Sequence, residues 1–167
     1  TERLPLERAR RLDSLAQELS SLTPSAVCKR TVPNRELLAD VRQRYEAIRA
    51  EMVAVQEELD WEVYRLYGLL DEDLTYHSSD LPGLSPEERA FAIILARRIK
   101  EGSVRTTWFS HHNHQFTPVV DIPTNWPESY RELVQRRIQA IESNPLLGLV
   151  ERPEYKRRWA AEPYEKM

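Results

Sequence analysis

Leu59-Asp60-Trp61-Glu62-Val63-Tyr64-Arg65-Leu66-Tyr67-Gly68-Leu69 closes a helical pattern that begins near Asn34, and Gly68 supplies the stop that a helix C-terminus favours. Upstream of it, Leu38, Val41, Tyr45, Ile48, Met52, Val55 and Leu59 recur at alternating steps of three and four, the a/d rhythm of a coiled-coil seam. The next position of that rhythm is Glu62. The apolar face moves instead to Val63 and Leu66, with Trp61, Tyr64 and Tyr67 crowding the other sides. A narrow seam thus widens into an aromatic-rich face, as a helix does on leaving a two-helix contact for a packed core. Trp61, Val63, Tyr64, Leu66 and Tyr67 are expected to touch later helices, with Glu57, Glu58, Asp60 and Glu62 on the solvated side.

Before this stretch, residues 2–22 read as a first helix, with Ala9, Leu12, Leu15, Ala16, Leu19 and Leu22 as its apolar stripe and Arg3, Arg8, Arg10 and Arg11 facing water. Pro24 and Pro33 make residues 23–34 a loop, and Asn34 is placed to cap the long second helix. The short connection folds the first helix back antiparallel along the second. At about 35 residues the second helix is roughly 50 Å long, so the first leaves part of it to be covered by something else.

After it, residues 70–84 read as an acidic surface loop. Ser85-Pro86-Glu87-Glu88 is a strong start signal for a third helix that ends at Gly102. Ala90, Phe91, Ile93, Ile94, Leu95, Ala96 and Ile99 make that helix apolar nearly all round, the buried centre of the fold. Thr106–Phe109 and Pro118–Ile122 have the composition of short strands. Asn125-Trp126-Pro127-Glu128 opens a fourth helix, and Pro153 opens a last helical piece over Glu154–Ala161. The predicted architecture is mainly α: a long antiparallel, coiled-coil-like hairpin over residues 1–58, joined to a compact helical bundle over 59–167 with irregular loops and at most short strands.

Composition excludes several function classes. No apolar run of about 18 residues exists for a membrane span, and no basic-then-apolar leader suggests secretion. One cysteine, Cys28, forms no intrachain disulfide and fits a reducing cytoplasm. A net charge of −3 argues against an overall electrostatic nucleic-acid binder, so any DNA contact is local. The chain starts at Thr1 in helical sequence, which suggests a piece of a larger polypeptide.

Catalytic motifs are missing. No GxSxG elbow, P-loop, GxGxxG or HExxH occurs, and four glycines leave little for a phosphate-cradling loop. His111, His112 and His114 with Asp121 nearby raise a metal site, but adjacent histidines point apart and no second Cys/His group completes a shell, so local hydrogen bonding is the expected role. The basic groups are Arg97 and Arg98 at a helix end, where the dipole also favours cations, Arg136-Arg137 in mid-helix beside Glu132 and Glu142, and Lys156-Arg157-Arg158 next to Trp159. Arg97, Arg98, Lys156, Arg157 and Arg158 are the candidate DNA contacts. Those last three cations suit phosphate, or alternatively pair with Glu154 and Glu162 while Trp159 anchors the fold.

The opening run resembles the LD-x-x-VY-x-LYGL ending found after target-recognition regions in large adenine-specific DNA methyltransferases. Together with Glu88-Arg89-Ala90-Phe91, Leu95-Ala96-Arg97-Arg98, Thr107-Trp108-Phe109, Ile122-Pro123, Trp126-Pro127 with Tyr130, and Glu151-Arg152-Pro153-Glu154-Tyr155-Lys156-Arg157-Arg158-Trp159, it is similar to the C-terminal part of the PglX-type methyltransferases of BREX, or phage growth limitation, defence systems. The resemblance covers most of residues 35–160. It implies a parent enzyme that transfers a methyl group from S-adenosylmethionine to adenine. The family's Asn-Pro-Pro-Tyr/Phe motif is absent, since Asn144-Pro145 is followed by Leu146, so no catalytic, cofactor-binding or metal residue carries over. What it implies for this chain is a non-catalytic accessory region that supports DNA recognition, with the rest of the parent methyltransferase and duplex DNA as partners. The competing reading is a protein-interaction module that docks other phage-defence proteins through the hairpin. A small metalloenzyme built on the histidine loop is the third.

Overall fold

The computed structural model describes residues 3–111, 114–115, 117–156, 159 and 164, and the side chains of 5–110, 117–156, 159 and 164. The architecture is mainly α, as expected. Its elements are α1 (Arg3–Ser21), α2 (Pro24–Arg30), α3 (Arg35–Leu66), α4 (Ala90–Lys100), β1 (Ser110–His111), β2 (His114–Gln115), α5 (Glu128–Ser143) and α6 (Pro145–Val150). Two 3-10 turns, Pro86–Glu88 and Pro153–Tyr155, precede α4 and follow α6. β1 and β2 form a two-residue antiparallel ladder. It lies outside both segments expected to be strands, 106–109 and 118–122, which run as irregular chain.

Local signals placed the long helix correctly. Asn34 caps α3 by accepting from the Leu37 N–H at 2.8 Å. At the other end Gly68 has φ +69°, its N–H donates to the Arg65 carbonyl at 3.1 Å, and the Leu69 N–H reaches back to the Tyr64 carbonyl at 2.9 Å. That is a Schellman closure, which needs a residue free to be left-handed. Gly68→Ala is expected to cost about 1 kcal/mol, read as a lower denaturant midpoint at unchanged slope.

α1 runs antiparallel to α3: Arg11 pairs with Glu51 at 2.5 Å, Arg44 with Glu18, and Leu15 and Leu22 bury against a seam that includes Tyr45, Ile48, Met52 and Val55. The residues between them contain a helix where a loop was expected. Thr23 caps it at 3.4 Å and Pro24 occupies its first turn, so proline here initiates a helix rather than preventing one. Arg8, expected to face water, donates to the Glu58 carbonyl at 2.7 Å and pairs with Glu62 at 3.2 Å. Described residues of the tail lie along the hairpin. The Tyr164 hydroxyl donates to the Leu22 carbonyl at 2.9 Å, its ring lies 5.3 Å from that of Tyr45, and Arg49 donates to the Trp159 carbonyl. One buried cluster runs from Leu15 through Tyr45 and Trp61 to Ile141, and α3 belongs to both ends of it.

Residues 69–84 are a strap across α3 rather than a surface loop. Leu74 and Leu84 are each 1% exposed, and the Leu84 N–H donates to the Ala50 carbonyl at 3.0 Å. Gly83 allows this approach, because a Cβ there would lie 3.0 Å from the Ala50 Cβ. α4 is the buried centre predicted for it, with Ile93 and Ile94 in the main cluster and Phe91, Leu95, Trp108 and Phe109 forming a second cluster on its far side. Its start differs from expectation. The Glu88 carboxylate does bond back to the Ser85 N–H at 2.7 Å, but it closes only the 3-10 turn. Arg89 is then extended, at φ −69° and ψ 148°, and α4 begins at Ala90. What holds Arg89 out of the helix is its side chain's place in the interior.

Candidate functional site

Where α3 meets the bundle, its carboxylates face inward. Glu57, Glu58 and Glu62, expected on the wet side, are 1%, 1% and 2% exposed. Steps of four, four and three put Val53, Glu57, Trp61 and Tyr64 on one face, and the acidic residue simply occupies an inward position of the apolar stripe. Unpaired burial of a carboxylate is prohibitive, so each must find cations and donors.

The fold delivers them from sequence-distant elements. From α5, Arg137 grips both oxygens of Glu58 at 2.7 and 2.8 Å and the Leu74 carbonyl at 2.7 and 2.9 Å, and the Tyr76 N–H adds a bond to Glu58 at 2.7 Å. Ahead of α4, Arg89 donates to Glu57 at 2.7 Å and to Asp60 at 2.8 Å. Glu57 also accepts from the Trp61 indole N–H at 3.1 Å and, at 3.4 Å, from the N–H of Ala90 at the start of α4. Lys156 donates to the Tyr64 hydroxyl at 2.5 Å, to Asp60 at 3.1 Å and to Glu151, while the Tyr64 hydroxyl itself donates to Glu151 at 2.6 Å. Aromatic faces cover the cations: Arg137 stands 5.2 Å from the Trp61 ring, Arg89 5.0 Å from Phe91 and Lys156 5.2 Å from Tyr64.

The lattice sets its own protonation states. Burial penalises the Glu57 charge, but Arg89, Arg137 and Lys156 together outweigh that and hold its carboxyl down from 4.5 to about 2. Burial pushes Glu151 up, and the Lys156 ammonium only partly opposes it. Burial, with the charges of Glu151 and Asp60, also pushes the Tyr64 phenol well above its ordinary value, so it stays a proton donor in the lattice. Because the folded value of Glu57 is depressed, its contribution is fully present above about pH 4.5 and is lost as pH falls towards 2. Its size is about 3 kcal/mol. Glu57→Gln is therefore expected to flatten the acid side of the stability curve between those pH values, measured by denaturant titration at several pH.

A cleft of about 310 Å³ opens beside the lattice, lined by Gln56, Asp60, Tyr64, Arg89, Val150, Tyr155 and Lys156. Of its ionisable groups, Asp60, Tyr64, Arg89 and Lys156 are bonded into one another. That arrangement suits a joint that fixes the axial and rotational register of α3 against α4, α5 and the chain after α6.

Three of the five candidate DNA contacts, Arg97, Arg98 and Lys156, are among the described residues. Lys156 is buried in the lattice, with its ammonium enclosed by two carboxylates and a phenol. Arg97 is half-buried and donates to the Val120 carbonyl at 2.9 Å, and Arg98 is exposed. Arg157 and Arg158 lie outside the described residues, as do His112 and half of the expected helix over 154–161. Arg136 pairs with Glu72 rather than with its own helix. Among the described residues no group of His, Cys, Asp and Glu is arranged to hold a metal ion, and no helix is long and apolar enough to cross a membrane.

The lattice itself was missed in the sequence, although one signal existed. Tyr130, Leu133, Val134, Arg137, Ile138 and Ile141 are the inner face of α5, and Arg137 occupies an apolar position of that repeat. An arginine on an inward face requires a buried carboxylate elsewhere.

The model of a family described as Domain of unknown function (DUF7008) matches residues 52–167, beginning at Met52 just ahead of the lattice. A protein of Streptomyces coelicolor described as "Adenine-specific methyltransferase PglX" is 50% identical over 160 residues. The match covers 93% of this chain and 13% of that protein. No solved structure matches. The resemblance to PglX-type proteins is thereby found in a direct comparison, and the chain belongs to the DUF7008 family.

Proposed function

We propose that this chain is a non-catalytic accessory region of an adenine-specific DNA methyltransferase in bacterial phage defence, which braces the parts of the enzyme that recognise DNA. The observation that carries the reading is the 50% identity, over nearly the whole chain, to a small part of a protein of that description. The lattice supports it: a register-fixing joint between a helix about 48 Å long and a bundle holds two bodies at a set spacing. Within such an enzyme the S-adenosylmethionine site belongs to other residues. Here Gly68 and Gly102 close helices, Gly83 lies against Ala50, and Gly148 is inside α6, which leaves no glycine for a cofactor loop. The proposed activity on DNA goes with a cytoplasmic parent.

Arg98, Arg157 and Arg158 are the proposed phosphate contacts. In the full-length parent, replacing all three with glutamine is expected to weaken duplex binding regardless of sequence and to make log Kd depend less steeply on log salt, by roughly one per lost contact. Binding of S-adenosylmethionine is expected to be unchanged. An unaltered salt slope would remove these residues from the DNA interface.

A further inference from the structure

The connection between α2 and α3 lies wholly on the surface. Cys28 to Glu36 are nine consecutive exposed residues, with Val32 89% exposed. The segment is nonetheless pinned at both ends: the Thr31 N–H donates to the Val27 carbonyl at 3.1 Å, the Asn34 side chain caps α3, and Pro33 fixes the backbone between them. α3 carries this tip away from the joint, since Arg35 and Asp60 are 25 residues apart on one helix, about 38 Å. Three cations, Lys29, Arg30 and Arg35, fall within seven residues there, so the chain itself keeps them together. Down the hairpin Arg8, Arg11, Arg42 and Arg44 are matched by the carboxylates of Glu62, Glu51, Glu46 and Glu18. At the tip the matching stops. Among the described residues none of the three forms an ion pair, and neither Glu36 nor Asp40 pairs with them. Three cations and the one carboxylate of Glu36 leave residues 23–38 at +2, in a chain whose net charge is −3. Arg30 is held by carbonyls, its Nε donating to Ala26 at 3.3 Å and an Nη to Ser21, which fixes the guanidinium without neutralising it. The dipole of α2 accounts for Lys29 and Arg30 in its last turn. It does not account for Arg35, which opens α3 at the end where a cation is disfavoured.

We propose that the hairpin tip contacts the phosphate backbone of duplex DNA through Lys29, Arg30 and Arg35, a contact separate from that of Arg98, Arg157 and Arg158. The proposal rests on the functional reading above, because that reading brings the parent to DNA. Charge complementarity selects the occupant. Phosphates repeated along a duplex match several unpaired cations on a protruding loop, and such contacts position a protein without reading base sequence. With α3 fixed in the lattice at Glu57, Glu58 and Asp60, the tip holds the duplex at a set distance from the bundle.

The test uses the full-length parent with the photo-reactive residue p-benzoylphenylalanine at position 32, between the cations. Irradiation with labelled duplex is expected to give a protein–DNA crosslink. A crosslink to polypeptide alone, or none to DNA, overturns the proposal. In a second arm Lys29→Gln, Arg30→Gln and Arg35→Gln together are expected to lower the slope of log Kd against log salt by roughly three, close to one per contact, while Lys29→Arg, Arg30→Lys and Arg35→Lys together keep it. A slope unchanged by the glutamine set, or lowered equally by both sets, also overturns it. Duplex binding and methyl transfer by the unaltered parent are measured alongside. A parent that does both but gives neither tip result loses only the tip contact, whereas one that does neither loses the functional reading and the contact with it.

Discussion

Arg137→Met is expected to destabilise the chain by about 3–5 kcal/mol, the range for removing one partner of a buried ion pair. For a chain of this length that lowers Tm by about 10 °C or more. Arg137 is wholly buried, and its loss strands Glu58, which keeps only the Tyr76 N–H as a donor, and empties two bonds to the Leu74 carbonyl. The cost therefore comes from the charge left behind more than from the bond removed. The double variant Glu58→Met, Arg137→Met separates the two. It is expected to recover part of the loss, because neither charge remains, though not all, since the Leu74 carbonyl and the Tyr76 N–H stay without their partners. A single-variant cost under about 1 kcal/mol would show that Arg137 does not hold the joint.

Trp61→Ala is expected to cost a similar 3–5 kcal/mol. Trp61 is fully buried, packs edge-on against Tyr64 with centroids 5.5 Å apart, and forms the floor beneath the Arg137 guanidinium. Its removal opens a cavity where apolar packing and the lattice share a wall, so both lose support. Trp61→Phe keeps most of the volume and gives up the indole bond to Glu57, for a smaller loss of about 1 kcal/mol. A melting temperature unchanged by Trp61→Ala would place the junction elsewhere.

The pH dependence of Glu57, the Gly68 closure and these two substitutions probe different ranges of interaction, and the contrast explains what reading the chain achieves. Asn34, Gly68, Gly102 and Pro127 mark helix ends through bonds that reach three to five residues, so their meaning is complete within a few positions of sequence. The extent of α3, the apolar centre at α4 and the kinship with PglX-type proteins were legible for that reason. Arg89 shows where local reading stops. Ser85-Pro86-Glu87-Glu88 has the composition of a helix start and makes its reciprocal bond, yet a side chain drawn to Glu57 and Asp60 delays the helix to Ala90.

By itself, then, the sequence determined α1, the extent and caps of α3, the apolar centre at α4, the start of α5, the antiparallel seam of α1 and α3 and the family, but not α2 or α6. Only the tertiary structure decided which charges are inside. A glutamate on a helix has the same composition and the same period whether it meets water or an arginine, and the choice depends on whether a counter-ion arrives to offset its desolvation. Those counter-ions come from 32 residues away for Glu57 and Arg89, 79 for Glu58 and Arg137, and 96 for Asp60 and Lys156. At such separations no local rule applies. Leu66 and Tyr67 make the converse case, apolar residues read as core that are 44% and 79% exposed, because an apolar residue at a helix end is covered only where a distant element packs over it.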